Sequence, residues 1–197
     1  MSTPPTSTPY PEHLIRECRL RDGAVVTLRP IRPDDAEREA RFVRDLSDES
    51  RYYRFMDHLR ELSPSSLLHL TQIDYHDHMA LVAVTLVEEQ PLQIGVARYV
   101  VDRTAAAESD AHPCAEFAIA IADAWQNRGL GTRLMTHLID SARERKLALL
   151  YSDVISGNRN MVRLMNKLGF TLTHEAGNLA LLRAELRLYA SAAASKN

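Results

Sequence analysis

The amino-acid sequence predicts an α/β (α+β) fold, a mixed and mostly antiparallel sheet of six to seven strands flanked by helices. Short, β-branched apolar runs recur along the chain, and apolar residues at helical spacing lie between several of them. The runs follow the order strand, helices, three strands, helix, strand, helix, two strands, which is not the regular alternation of a doubly wound parallel sheet. A length of 197 residues suits one domain with its own core and leaves little room for a second.

Taken in order, residues 1–11 (MSTPPTSTPYP) hold four of the nine prolines, interleaved with Ser and Thr, and read as a disordered tail. A single domain is expected over 12–190. Val25 to Leu28 reads as a strand, and Pro33-Asp34-Asp35 offers a helix start with early acidic residues. Helical text continues through Phe42 and Leu46, then restarts at Ser47-Asp48-Glu49 and at Ser63-Pro64. Met79 to Val87 and Ile94 to Val101, separated by a polar stretch with Pro91, read as an antiparallel pair. Asp102 to Pro113 reads as a loop and Cys114 to Ala122 as a strand. A helix follows from about Gly129 to Arg145, with Leu130, Leu134, Leu138 and Ile139 on one face. Leu147 to Ile155 is a strand. Met161, Leu164, Met165 and Leu168 make the stripe of a short helix stopped by Gly169. Phe170 to Glu175 and Leu179 to Leu188 close the fold around the turn Ala176-Gly177-Asn178, and 191–197 (SAAASKN) read as a flexible tail.

Composition narrows the function. Twenty-four Lys and Arg against 26 Asp and Glu give a formal charge of −2, without the basic excess of a dedicated nucleic-acid binder. The longest largely apolar run, Met79 to Val87, falls short of the roughly 20 residues that span a bilayer. Residues 1–11 carry no Lys or Arg and no apolar block, so no secretory signal is expected. Two cysteines, Cys18 and Cys114, are too few for a disulfide framework or a thiolate metal cage. A soluble, cytoplasmic protein is the expectation.

The most informative segment is Gln126-Asn127-Arg128-Gly129-Leu130-Gly131-Thr132, between a strand and an amphipathic helix. Glycines at this spacing turn the chain tightly and leave no side chains in front of the first helical amides. Those amides and the helix dipole suit a phosphate or pyrophosphate, and Arg128 adds a charge that can pair with the same anion. No Gly-Lys-Ser/Thr follows, and the third glycine of a dinucleotide fingerprint is missing. A plain glycine turn before a helix is the alternative. A second segment, Gly157-Asn158-Arg159-Asn160-Met161, opens the next helix, which ends in Leu168-Gly169-Phe170.

Together the two segments resemble the acetyl-CoA-binding motifs of the GNAT N-acetyltransferase superfamily, over roughly Ala24 to Leu188. A narrower resemblance lies in Thr27 to Asp35, Leu46 to Tyr52 and Leu70 to Tyr75. These stretches are similar to the acetyltransferase domain of bacterial protein lysine acetyltransferases that act on acyl-CoA synthetases. The large acyl-CoA-synthetase-like region that precedes that domain in many such proteins is not in this sequence.

The resemblance implies acetyl-CoA as cosubstrate and an amine as acceptor. A lysine amine with a pKa of about 10.4 must lose a proton before it attacks a thioester. Strand alternation puts Phe117, Ile119 and Ile121 on one face and Glu116 with Ala118 and Ala120 on the other. Small neighbours leave room beside the Glu116 carboxylate, and the family's general base matches this position; a solvated carboxylate at a strand end is the alternative. By the same resemblance the pantetheine arm pairs with main-chain groups at Ile119, Ala120 and Ile121, where an amide can also stabilise the oxyanion. Pyrophosphate contacts fall to Gln126, Asn127, Arg128, Gly129, Leu130, Gly131 and Thr132. Asn158, Met161 and Met165 complete the cofactor side, with a plain helix cap as the alternative for Asn158. Many GNAT enzymes carry a thiolate-protonating tyrosine seven residues after this asparagine, where this chain has Met165. Tyr151 and Ser152 are possible substitutes. A CoA thiol, with a pKa near that of cysteine at about 8.5, can depart without an acid.

Other features point less far. His69, His76 and His78 cluster with Asp74 and Asp77, but at no usual metal-ligand spacing, and no metal is expected. Arg51, Tyr52, Tyr53 and Arg54 mix basic and aromatic residues, as a helix with exposed arginines does. Cys114 has no histidine partner in the sequence and reads as a small core residue. The expected function is acetyl transfer from acetyl-CoA to an amine, foremost a lysine side chain of a protein such as an acyl-CoA synthetase. A small-molecule amine acetyltransferase, a catalytically idle CoA-binding module and, last, an interaction domain without CoA are the alternatives. The sequence assigns no oligomeric state.

Overall fold

The computed structural model describes residues 9–57, 60–103, 113–175 and 177–189. Residues 1–8, Ala176, residues 191–197 and most of the expected 102–113 loop therefore lie outside the described residues. An eight-stranded sheet runs in the order β1 (Arg16–Arg19), β2 (Val25–Pro30), β3 (His78–Val87), β4 (Gln90–Asp102), β5 (Cys114–Ile121), β6 (Leu149–Ile155), β8 (Asn178–Arg187) and β7 (Thr171–Glu175). All neighbours are antiparallel except β5 and β6. A parallel pair cannot be closed by a hairpin, and helix α4 (Leu130–Glu144) makes the crossover.

The strand beyond the expected number is β1. Its sequence, Arg-Glu-Cys-Arg, is almost wholly charged and exposed, so it lacks the apolar alternation that marks a strand. It is an edge strand held by pairing with β2. The β3–β4 hairpin also reaches further than the sequence implies. Glu88 and Glu89 both take positive φ (49° and 61°), the geometry of a two-residue type I′ turn that usually advertises itself by Asn or Gly. At the amino end, Tyr10 is anchored although the sequence places it in the tail. Its hydroxyl donates to the Pro30 carbonyl at 2.9 Å and its ring meets Tyr75 edge-on.

Two apolar layers cover the sheet. On one face α4 inserts Leu130, Leu134, Met135, Leu138 and Ile139 against Tyr99, Phe117 and Leu150. On the other, α1 (Ala36–Asp45) places Phe42 and Val43 over Val82, Val96 and Ala120. Truncating a side chain buried this way costs about 2–5 kcal/mol. β5 divides its residues between the layers: Phe117 belongs to the α4 face and Ala120 to the other. Alternation then puts Glu116 and Ala118 on the side of α1 and α2 (Asp48–Phe55).

Candidate active site

β5 and β6 pair only at Cys114–Leu149, Ala115–Leu150 and Glu116–Tyr151. β5 then continues to Ile121 and β6 to Ile155 without pairing, so the sheet splits. The Ala122 amide donates to Ile94 on the β4 side at 3.0 Å. Main-chain groups alternate along a strand, so those of Ile119 and Ile121 face the split, while those of Ala120 belong to the β4 ladder. The Ile121 carbonyl accepts from Gln126 Nε2 at 3.2 Å. An extended amide-bearing arm can pair with this open edge as an added strand does.

A cleft of about 1110 Å³ occupies the split and passes from α2 on one face to the start of α4 on the other. Glu116, Ile119, Ala120, Ile121, Gln126, Asn127, Gly129, Gly131, Thr132, Asn158 and Met161 all line it. Three expected site residues do not. Arg128 turns outward: its guanidinium pairs with Asp22 and lies 4.1 Å over the Trp125 ring. Leu130 and Met165 are core residues, 1% and 0% exposed, because both fall on the buried stripes of their helices.

The start of α4 leaves its first amides open. No side chain caps it, and Gly129 holds φ at 90°, a region that costs other residues about 1–2 kcal/mol. Gly131 differs: its φ is not positive, and a Cβ there would meet the Leu164 side chain of α5 (Arg159–Lys167) at 3.4 Å, close to ordinary contact. The α5 residues Arg159, Arg163 and Lys167 also line the cleft, and Lys167 Nζ donates to Thr132 Oγ1 at 3.3 Å. The i, i+4, i+8 spacing of these three cations was the available signal for a basic helix face. Asn158 is indeed a helix cap, its Oδ1 accepting from the Met161 amide at 3.1 Å. Its Nδ2 has no partner among the described residues and remains available as a donor.

On the acceptor side, Asp123 ties α2 to the turn after β5. Its carboxylate accepts from the Ser47 amide (2.8 Å), Ser47 Oγ (2.7 Å) and Ser50 Oγ (2.7 Å). Partial burial would raise this carboxyl, but those bonds win and hold it below its ordinary value. α2 thus lies over β5, with Tyr53 and Arg54 in the same cleft as Glu116. Arg51 is occupied elsewhere, donating to the carbonyls of Arg44 and Leu46. Beneath this layer is a buried polar cluster that the sequence did not reveal. Glu39 accepts from Arg98 at 2.9 Å and from Gln93, and Arg98 also donates toward His78 Nε2 at 3.4 Å. An accepting Nε2 requires neutral His78, in keeping with a pKa pushed down to about 3 by burial and then by Arg98.

The arrangement joins an uncapped helix start, an open strand edge and a carboxylate at the root of the split. The GNAT acetyltransferase family model matches residues 40–170. The chain belongs to the GNAT acetyltransferase family. Acetyltransferase PA5475 of Pseudomonas aeruginosa is 40% identical over 151 residues, 77% of each chain. Acetyltransferase Pat of Mycolicibacterium smegmatis is 29% identical over 157 residues, which span 80% of this chain but 44% of that protein. The crystal structure of the GNAT domain of S. lividans PAT superposes with a TM-score of 0.80 at 32% identity, covering 90% of this chain and 99% of that one.

Met165, a thioether with no proton to give and 0% exposed, supplies no acid for a departing thiolate. Tyr151 is a poor substitute. Its pKa is pushed up to about 12 by burial and by its bond to Asp102, to which its hydroxyl donates at 2.7 Å. Ser152 lines the cleft. The histidine-rich turn is structural, with Asp74 Oδ1 accepting from the amides of His76, Asp77 and His78 at 2.9 Å each. Among the described residues no three His, Cys, Asp or Glu side chains gather where they could hold a metal ion, and no helix is long and apolar enough to cross a membrane.

Proposed function

We propose that this GNAT enzyme transfers an acetyl group from acetyl-CoA to a lysine side chain of a protein, with an acyl-CoA synthetase as the acceptor. The observation that carries the chemistry is the split between β5 and β6, with Glu116 at its root and the uncapped start of α4 at its mouth. The pyrophosphate lies against the amides of Gly129 to Thr132, within reach of the α5 cations. The pantetheine arm pairs with the edge at Ile119 and Ile121, and Asn158 Nδ2 donates to one of its amides. Glu116 takes the proton of the lysine ammonium, directly or through a water. The freed nitrogen attacks the thioester carbonyl and a C–N bond forms; as the C–S bond breaks, the surplus proton of that nitrogen is lost to water and CoA leaves as the thiolate.

The protein acceptor rests on the likeness of Thr27 to Asp35 and Ser47 to Arg54 to protein lysine acetyltransferases. Charge supports it. A polyamine would need several free carboxylates near Glu116, yet Asp123 is engaged by Ser47 and Ser50 and Asp153 is paired with Arg183, which among the described residues leaves Glu49 as the other carboxylate lining the cleft. A folded partner also brings binding energy from surface remote from the reacting nitrogen. The free thiols of Cys18 and Cys114 fit a cytoplasmic setting. A competition assay tests the reading by offering a cell extract, free polyamines and amino-acid amines at equal acetyl-CoA. Protein lysines labelled above the chemical background are expected; labelling of free amines alone would overturn the protein acceptor.

A further inference from the structure

We infer that Arg54 is a specificity residue that reads a carboxylate carried by the acceptor, beside the amine to be acetylated. The inference rests on the acetyl-transfer reading above and deepens it.

Arg54 stands in the last turn of α2 and lines the same cleft as Glu116. α2 starts at the Asp123 end of β5, where Ser47 and Ser50 are fastened, and runs back toward the Glu116 end. Arg54 and Glu116 thus face one cleft and feel each other's charge, so an amine held at Glu116 lies within the field of this guanidinium. No carboxylate lies within ion-pair distance of Arg54 among the described residues, and its guanidinium lies 4.7 Å over the Phe55 ring. The buried charge nearest in kind is already spent, since Glu39 is paired with Arg98 at 2.9 Å. Among the described residues no hydrogen-bond partner meets its five N–H donors either, so Arg54 is a partly buried cation left unmatched by them. Burial, and then the charge of Arg98, lower its pKa to about 10, while Glu39 and Glu116 oppose that shift.

An unmatched guanidinium repels an incoming ammonium. It becomes favourable only if the acceptor brings an anion along, and the planar fork of arginine matches a carboxylate in two-bonded geometry. Arg32 and Arg51, the neighbouring arginines in sequence, cannot share this task. Arg51 is bound to main-chain carbonyls of α1, and Arg32 lies 4.6 Å over the Tyr10 ring. The carboxylate can come from an Asp or Glu side chain next to a protein lysine or from the α-carboxylate of a free amino acid.

The test measures kcat/KM by thiol release for two lysine peptides that differ only in Glu or Gln flanking the lysine. A free amino acid and its amide form a parallel pair. Wild-type enzyme is expected to favour the carboxylate-bearing member of one pair by about ten- to hundredfold, as charge-assisted hydrogen bonds imply. Arg54→Met and Arg54→Gln should bring the ratio near one. Arg54→Lys should keep part of it, and Arg54→Glu should invert it toward a Lys-flanked peptide. Thermal unfolding and calorimetric acetyl-CoA affinity, unchanged across the set, show folded variants with an intact cosubstrate side. Preference in the peptide pair places the carboxylate on a protein, and preference in the amino-acid pair alone places it on a small acceptor. No preference in the wild type, or one that survives in both neutral variants, overturns the inference while transfer itself persists. Absence of wild-type transfer to any of these amines would instead overturn the acetyl-transfer reading on which it rests.

Discussion

Glu116 and Tyr151 are the last paired residues between β5 and β6, and the two strands part immediately beyond them. A carboxylate at this position belongs to the sheet on one side and to the cleft on the other. The same parting exposes the main-chain edge at Ile119 and Ile121. One departure from regular pairing thus provides both the proposed base and the proposed binding edge for the thioester arm.

Gly129 and Arg128 of the loop predict separable effects. Gly129→Val places a β-branched residue at a φ of 90° and should cost roughly 1–2 kcal/mol of stability. It should also misplace the amides of α4 and weaken acetyl-CoA binding about ten- to hundredfold. Arg128→Ala, by contrast, removes a side chain engaged with Asp22 and Trp125 outside the cleft. It should leave affinity within about fivefold. Calorimetric titration of both variants checks this, and the reverse order of effects would contradict the loop geometry.

The buried pair Glu39–Arg98, 2% and 4% exposed, predicts a large stability loss when one partner is removed. Glu39→Ala strands a charge and should cost about 3–5 kcal/mol in urea unfolding. Arg41→Ala, which breaks an exposed pair with Asp45, should cost no more than about 1 kcal/mol. Equal losses would mean that the cluster is solvated.

Much of this architecture is legible in the sequence because it rests on local signals. The stripe of Leu130, Leu134 and Leu138, the alternation from Glu116 to Ile121 and the glycine turn at 129 announce their places in the fold. What is not legible depends on tertiary placement. β1 is charged and becomes a strand only by pairing with β2, and Glu88-Glu89 adopts a turn that its residue types do not advertise. The outward turn of Arg128 is set by Asp22, more than a hundred residues earlier. Met165 falls at the motif spacing for a functional position, yet helix geometry turns it into the core. The buried partnership of Glu39 and Arg98 joins residues 59 apart that carry no common pattern.

His78 gives a pH signature. Its folded pKa, about 3, lies below the unfolded value of about 6.5. The unfolded chain therefore binds the proton first, and stability falls as pH drops below about 6.5, until the folded pKa is reached. His137 is shifted the same way by burial and adds to the slope. Between pH 6.5 and 5 the wild type should lose roughly 2 kcal/mol through His78. His78→Gln keeps an acceptor for Arg98 without titrating and should lose that much less. Parallel stability curves for the two proteins would mean that His78 is free to charge in the fold.

The most direct test of the central claim is the pH dependence of acetyl transfer in Glu116→Gln, measured as thiol release from acetyl-CoA with an acetylatable lysine acceptor. The substitution keeps the shape and removes the proton acceptor, so turnover near neutral pH should fall by about 10² to 10⁴. Acetyl-CoA affinity should stay close to wild type, and the deficit should shrink as pH rises toward about 10.4, where the amine deprotonates unaided. Wild-type turnover in this variant at neutral pH would contradict the account.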